Sequence, residues 1–263
     1  MSPNPWTDLL SASLFAEPGA LAAALVAVVL VGVSKGGLGG AFALLGVPVL
    51  SLVMSPVQAA ALLLPVLLVM DVVGLWTWRG TFHRATLIAM LPAAVLGIGL
   101  GWLTAAATSE ALVRLIVGVV ALGFAVRSVW PKRNAAAPRP RAVSAWFWGT
   151  VAGFTSFVAH AGGPPYQVHT LPLRLDPKVY TGTAVVFFAV VNAVKVVPYA
   201  ALGQFDGRTL LSAAVLLPVA VVAVLAGAAL VRRMRAEVFY PFMLVMVALV
   251  GARLVYDGVR GLG

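Results

Sequence analysis

The chain has 263 residues, of which 62% are hydrophobic and only 10% are charged, whereas a typical soluble domain has roughly 25% charged residues. This composition excludes a water-soluble enzyme or binding domain and predicts one all-α, polytopic membrane domain over residues 1–263. The net charge of +10 does not indicate a nucleic-acid partner, because most basic residues lie in short loops beside apolar segments, where the positive-inside rule places them.

Two apolar segments are interrupted by glycine and proline. Residues 19–54 contain the run Ser34-Lys35-Gly36-Gly37-Leu38-Gly39-Gly40, and residues 142–173 contain His160-Ala161-Gly162-Gly163-Pro164-Pro165. Glycine weakens a helix by about 1 kcal/mol and proline by about 3 kcal/mol. We therefore expect each segment to break into short helical limbs, some of them only about 10–15 residues long.

Six further apolar segments are continuous, and each is long enough to cross a bilayer as a helix. They cover residues 57–78, 85–105, 111–130, 178–200, 209–231 and 237–257.

Basic residues orient these spans. The loop 131–141 carries four basic residues and no acid, and the turn 232–235 carries three arginines, so both are predicted to face the cytoplasm. Following the spans outward places the turns at Arg79 and Arg174 inside and both termini outside. The two interrupted segments then enter from opposite faces, each as a re-entrant-like hairpin that dips toward the bilayer centre.

Three continuous spans follow each hairpin, which predicts an inverted repeat with residues 19–130 as the first unit and 142–257 as the second. Matching positions in the two units include Pro48 and Pro172, Pro56 and Pro177, and Asp71 and Asn192.

The interruptions are predicted to hold the substrate, because paired Gly/Pro breaks in two halves of a membrane protein mark transporter binding sites. Helices that start at a break present free N–H groups and a partial positive charge to an anion. We expect such starts near Gly40 and Pro164. The predicted substrate contacts are Lys35, Gly36, Gly37, Gly39, Gly40, His160, Gly162, Gly163, Asn192 and Lys195.

The charged candidates also have structural interpretations. Lys35 binds substrate, snorkels to an interface or pairs with Asp71. A lysine at the bilayer centre costs at least about 2.5–3.5 kcal/mol, which favours the substrate role. Lys195 shares a helix face with Asn192, for binding or for helix contact. Asp71 is either a structural ion-pair partner of Lys35 or Lys195 or the proton carrier of a coupled transporter. His160 bonds substrate, relays protons or caps a helix.

No cofactor or metal site is expected. The chain has no cysteine and its three histidines form no metal-binding cluster. It also lacks the Gly-x-x-x-x-Gly-Lys-[Ser/Thr] run of ATP-binding proteins. Two other classes of function stay open, which are an anion channel built on the same hairpins and a membrane enzyme or assembly factor that uses Asp71 and His160.

Several motifs combine along nearly the whole chain: Ser34 to Gly40 with Gly46-Val47-Pro48, the run ending at Pro65 with Asp71 downstream, Gly162-Gly163-Pro164, and Thr181-Gly182-Thr183 with Asn192 and Lys195. In this combination the chain resembles the TauE/SafE family of sulfite exporters and 4-toluene sulfonate uptake permeases. The resemblance implies a secondary transporter of sulfite, thiosulfate, sulfonates or related anions in the bacterial inner membrane. Chain length is compatible with a monomer or a homodimer.

Overall fold

The computed structural model describes residues 13–15, 17–38, 43–105, 107–129, 142–203 and 205–262. Within these ranges the chain forms α-helices, short 3-10 helices and turns, and no strand. The α-helices are α1 (Pro18–Gly37), α2 (Gly46–Leu50), α3 (Pro56–Thr77), α4 (Arg84–Thr104), α5 (Glu110–Val129), α6 (Ala142–Ala159), α7 (Gly163–Thr170), α8 (Pro177–Ala201), α9 (Gly207–Arg233) and α10 (Ala236–Leu262).

Eight of these helices are long and apolar enough to cross a membrane, so the chain is a multi-pass membrane protein. Six correspond to the continuous segments of the sequence, and the other two are α1 and α6, with 20 and 18 residues. The expectation of short limbs was therefore wrong for the first limb of each interrupted segment. The second limbs are short, since α2 has five residues and α7 has eight.

Helix α1 continues through Gly36 and Gly37 because these glycines pack against α9. A Cβ atom at Gly36 would collide with the carbonyl oxygen of Val224, and one at Gly37 would collide with that of Gly227. Small residues let two helix backbones approach closely inside a membrane. This packing outweighs the weak helix propensity of glycine, which is why the sequence-based expectation of an earlier break fails.

The end of α1 is held by side chains from two other helices. The indole Nε1 of Trp78 donates to the carbonyl oxygen of Gly36 at 2.7 Å, and the hydroxyl of Thr181 donates to that of Gly37 at 2.8 Å. Trp78 follows the last residue of α3 and Thr181 lies in the first turns of α8. Helix α1 therefore extends as far as the end of α3. The predicted start of a second limb near Gly40 lies outside the described residues.

The second break is sharp. His160 has a left-handed backbone with a φ of 51°, and the N–H of Ala161 donates to the carbonyl oxygen of Thr155 at 3.0 Å, six residues earlier. Helix α7 begins at Gly163, one residue before the predicted start at Pro164. Gly162 sits tightly against α6, where an added Cβ would lie 2.8 Å from the carbonyl oxygen of Ala152.

Three pairs of long helices pack most extensively, α1 with α9, α6 with α4 and α5 with α10. Helices α3 and α8 contact each other, and α3 also packs on α9 and α8 on α4. Helices α2 and α7 lie among them, α2 against α1 and α3, and α7 against α6 and α5. Large apolar side chains such as Ile88, Leu103 and Val222 are exposed on the outside of the bundle, as expected of a surface in contact with lipid. The basic loop 131–141, on which the predicted orientation depends, lies outside the described residues.

Candidate substrate site

A partly enclosed cavity of about 60 Å³ lies between the two interrupted segments. One water needs roughly 10–15 Å³ by this measure, so the cavity has room for a few waters or one small polyatomic ion. Its polar lining consists of Lys35, Ser156, His160, Gly162, Gly163, Asn192 and Lys195, and its apolar lining comes from α1, α3, α8 and the segment 43–47. The structure thus brings together six of the ten predicted contacts.

Lys35 reaches the cavity from α1 and forms a buried ion pair. Its Nζ lies 2.5 Å from Oδ1 of Asp71 on α3. The other carboxylate oxygen of Asp71 accepts a hydrogen bond from Nδ2 of Asn192 on α8 at 2.7 Å. This chain of contacts connects the two halves of the protein. Lys35 lines the cavity while paired, and Asp71 lies behind it, outside the lining.

Lys195 is the second buried lysine at the cavity, and only 1% of its surface is exposed. Its Nζ donates to the carbonyl oxygen of Ser156 at 3.2 Å and lies 3.4 Å from the hydroxyl of the same residue. Within the described part of the chain no carboxylate pairs with it. A buried ammonium without a counter-charge is unfavourable, so Lys195 offers the cavity an uncompensated cation.

His160 lies where the central cavity meets a second space. Its Nε2 is 2.8 Å from the hydroxyl of Tyr199, and Phe157 packs edge-on against the Tyr199 ring with centroids 6.1 Å apart. Both His160 and Tyr199 also line a wider cavity of about 330 Å³ that extends to Ala105 and Leu202, beyond the ends of α4 and α8. The His160–Tyr199 pair therefore forms part of the wall between the two cavities.

Two of the predicted contacts among the described residues, Gly36 and Gly37, do not line the cavity. Gly36 and Gly37 face α9 instead, and their amides lie in the last turn of α1. They are not the free donors of a helix start, which corrects the prediction made from the sequence. Gly39 and Gly40 lie outside the described residues.

Backbone donors are also fewer than expected at the second break. Pro164 and Pro165 occupy the first turn of α7, and proline has no N–H group. The positive character of the cavity therefore comes mainly from two lysine side chains and less from helix starts.

Sequence reasoning missed Ser156 and Tyr199, although helical spacing contains a signal for both. Phe188, Asn192, Lys195 and Tyr199 lie at intervals of three or four residues in α8 and so share one face. Ser156 is one turn before the break at His160. Extending the predicted polar face of α8 by one turn in each direction would have found Tyr199.

A known protein family matches most of the chain. The family model described as "Sulfite exporter TauE/SafE" matches residues 24–254, a range that includes the glycine-containing breaks of both interrupted segments and every residue of the cavity lining. No curated protein and no solved structure matches the chain significantly.

Proposed function

This chain belongs to the TauE/SafE sulfite exporter family, a family of membrane transporters, and from that premise we propose that it is a secondary transporter of small sulfur-containing anions such as sulfite, thiosulfate or sulfonates. The proposed location is the bacterial inner membrane. One observation carries the proposal: Lys195 is buried without a carboxylate partner among the described residues and lines the central cavity. An anion in that cavity would supply the missing counter-charge.

The other polar groups suit an oxyanion. Lys35 lies on the opposite limb, and its three N–H donors are not exhausted by one contact to Asp71. Asn192 and the Ser156 hydroxyl add neutral polar groups at the same cavity. Several donors around one small space match the several acceptor oxygens of a sulfite or sulfonate group, and hydrogen bonds to charged groups are among the stronger ones.

Helix pairing supports an inverted repeat, with α1–α5 as one unit and α6–α10 as the other. Each unit has the order long, short, long, long, long. The first helix of each packs on the fourth of the other, while the third helices pack together and the fifth helices pack together. An exchange of this kind is what a two-fold relation between the units requires, and such repeats are typical of alternating-access carriers.

Glycine contacts repeat the same exchange. Gly227 of α9 approaches the carbonyl oxygen of Val33 in α1, and Gly97 of α4 approaches that of Thr150 in α6. Each first helix therefore packs closely on its partner, and each of these two pairs is proposed to move as a rigid body. We propose that this movement opens the cavity first to one side and then to the other.

The wall formed by His160 and Tyr199 is the proposed barrier toward the wider cavity. By the charge pattern of the loops, that cavity faces the outside. The proposed oligomeric state is a monomer or a homodimer.

The test is uptake of a radiolabelled sulfonate into proteoliposomes that contain the full chain. Saturable uptake with counterflow is expected of a carrier, whereas a channel shows neither. Lys195→Met should weaken binding at least about tenfold, because a buried charge-assisted hydrogen bond contributes about 1.5–3 kcal/mol. Lys178→Met is the matched control, since Lys178 lies on the same helix and is exposed. Equal uptake by the two variants would refute the proposed site.

A further inference from the structure

We infer that the cavity selects anions with a single negative charge over dianions of the same shape, and that Asp71 sets this preference without touching the substrate. The inference depends on the proposed function and narrows its substrate class.

The preference follows from the charges at the cavity. Lys35 and Lys195 contribute two cations, and Asp71, ion-paired with Lys35, contributes one anion. Asn192 is neutral. His160 contacts the Tyr199 hydroxyl, and an imidazole is mostly neutral at pH 7 and above. The group therefore has one positive charge in excess.

The next charged residue beyond His160 does not alter the count. Arg114 pairs with Glu110 on the same helix and lies outside the cavity lining. Its charge is therefore compensated locally, and no further acid or base of the described residues lines the cavity.

An excess of one positive charge in a buried space is unfavourable, because burial removes the water that would stabilise it. A monoanion makes the loaded site neutral. A dianion of the same size replaces one uncompensated positive charge with one uncompensated negative charge and must also lose a larger hydration energy. The site loaded with a monoanion has the same net charge whether Lys195 is protonated before the anion binds or together with it.

Asp71 determines whether the site prefers monoanions or dianions. Its Oδ1 lies 2.5 Å from Nζ of Lys35 and compensates the charge of that lysine. Lys35 lines the cavity, whereas Asp71 does not. Without the carboxylate the site would hold two excess positive charges and would suit a dianion. Asp71 is therefore a specificity-determining residue that acts through Lys35.

Methanesulfonate and thiosulfate test this directly. Both have an SO₃ group, which carries a methyl group in methanesulfonate and a sulfur atom in thiosulfate, so the two anions differ mainly by one negative charge. The measurement is the thermal shift of the purified full chain at pH 8 over a range of ligand concentrations, from which dissociation constants follow. The natural protein is expected to bind methanesulfonate at least about tenfold more tightly than thiosulfate, which corresponds to about 1.4 kcal/mol.

Two variants change the charge in opposite directions. Asp71→Asn adds one positive charge and should reverse the preference, so that thiosulfate binds at least about tenfold more tightly. Asn192→Asp removes one positive charge from the total and should weaken the binding of both anions at least about tenfold. The exchange Asp71→Asn with Asn192→Asp keeps the carboxylate–amide hydrogen bond, now with the charge on α8, and should restore the preference for methanesulfonate.

Each outcome decides a separate point. If neither anion shifts the melting temperature of the natural protein, the proposed function fails. If thiosulfate binds as tightly as methanesulfonate, or if Asp71→Asn keeps the original preference, the charge inference is wrong while the proposed function stands. If Asp71→Asn does not fold, the exchange variant decides, and its failure to prefer methanesulfonate overturns the inference.

Discussion

The two interrupted segments both have a pair of adjacent glycines at the break but use these glycines in different ways. In the first, Gly36 and Gly37 form the contact between α1 and α9 and do not line the cavity. In the second, Gly162 and Gly163 line the cavity directly. The glycines of the first break therefore serve only helix packing, whereas Gly162 of the second break both packs against α6 and lines the cavity.

The polar residue of each break also has a different task. Lys35 is tied to Asp71 and, through it, to Asn192 of the other half. His160 is tied to Tyr199 at the wall between two cavities. The first break therefore supplies charge and stability, and the second supplies a barrier. Substitutions at the two breaks should separate these tasks.

The largest effect is expected at the ion pair of the first break. Lys35→Met leaves the buried carboxylate of Asp71 without its cation and should lower the free energy of unfolding by about 3–5 kcal/mol. The melting temperature of the purified protein reports this loss. Lys35→Met combined with Asp71→Asn should recover most of it, because no uncompensated charge then remains. A double variant as unstable as the single one would show that the ion pair is not the cause.

A smaller loss is expected from the glycine contact of the same break. Gly36→Ala inserts a methyl group against the carbonyl oxygen of Val224, and overpacking of this kind costs about 1–3 kcal/mol. The expected result is a lower melting temperature and less monodisperse protein. Gly19→Ala is the control on the same helix, because nothing lies within 4 Å of the added atom. If both substitutions are tolerated equally, the α1–α9 contact is looser than described.

The smallest effect on stability, with a distinct effect on access, is expected at the second break. Tyr199→Phe removes one hydrogen bond to His160, worth about 1 kcal/mol. The chain has no cysteine, so Ser156→Cys introduces a single reporter at the cavity. Labelling of that cysteine by a thiol reagent should be several-fold faster with Tyr199→Phe. Tyr256→Phe, at a residue that is 51% exposed, should leave the rate unchanged.

Much of the site was accessible from the sequence. Lys35, Asn192 and Lys195 were predicted because polar residues are rare in apolar spans and each needs a partner, and the structure places all three at one cavity. The ion-pair partner of Asp71 could not be predicted, since the sequence allowed Asp71 to pair with either lysine or to carry protons. The contact between the Ser156 carbonyl oxygen and Lys195 could not be predicted either, because the backbone group that a lysine reaches depends on helix packing.

The sequence by itself determined that this is a multi-pass helical membrane protein, because that conclusion needs only composition and the length of apolar runs. It also determined where the chain departs from regular helix at His160 to Gly163, since proline and glycine act locally. Only the tertiary structure decided that α1 runs through Gly36 and Gly37, that Asp71 neutralises Lys35, and that Lys195 is left without an acid among the described residues. Those outcomes depend on which helices lie side by side, and helix packing is set by surfaces far apart in the chain.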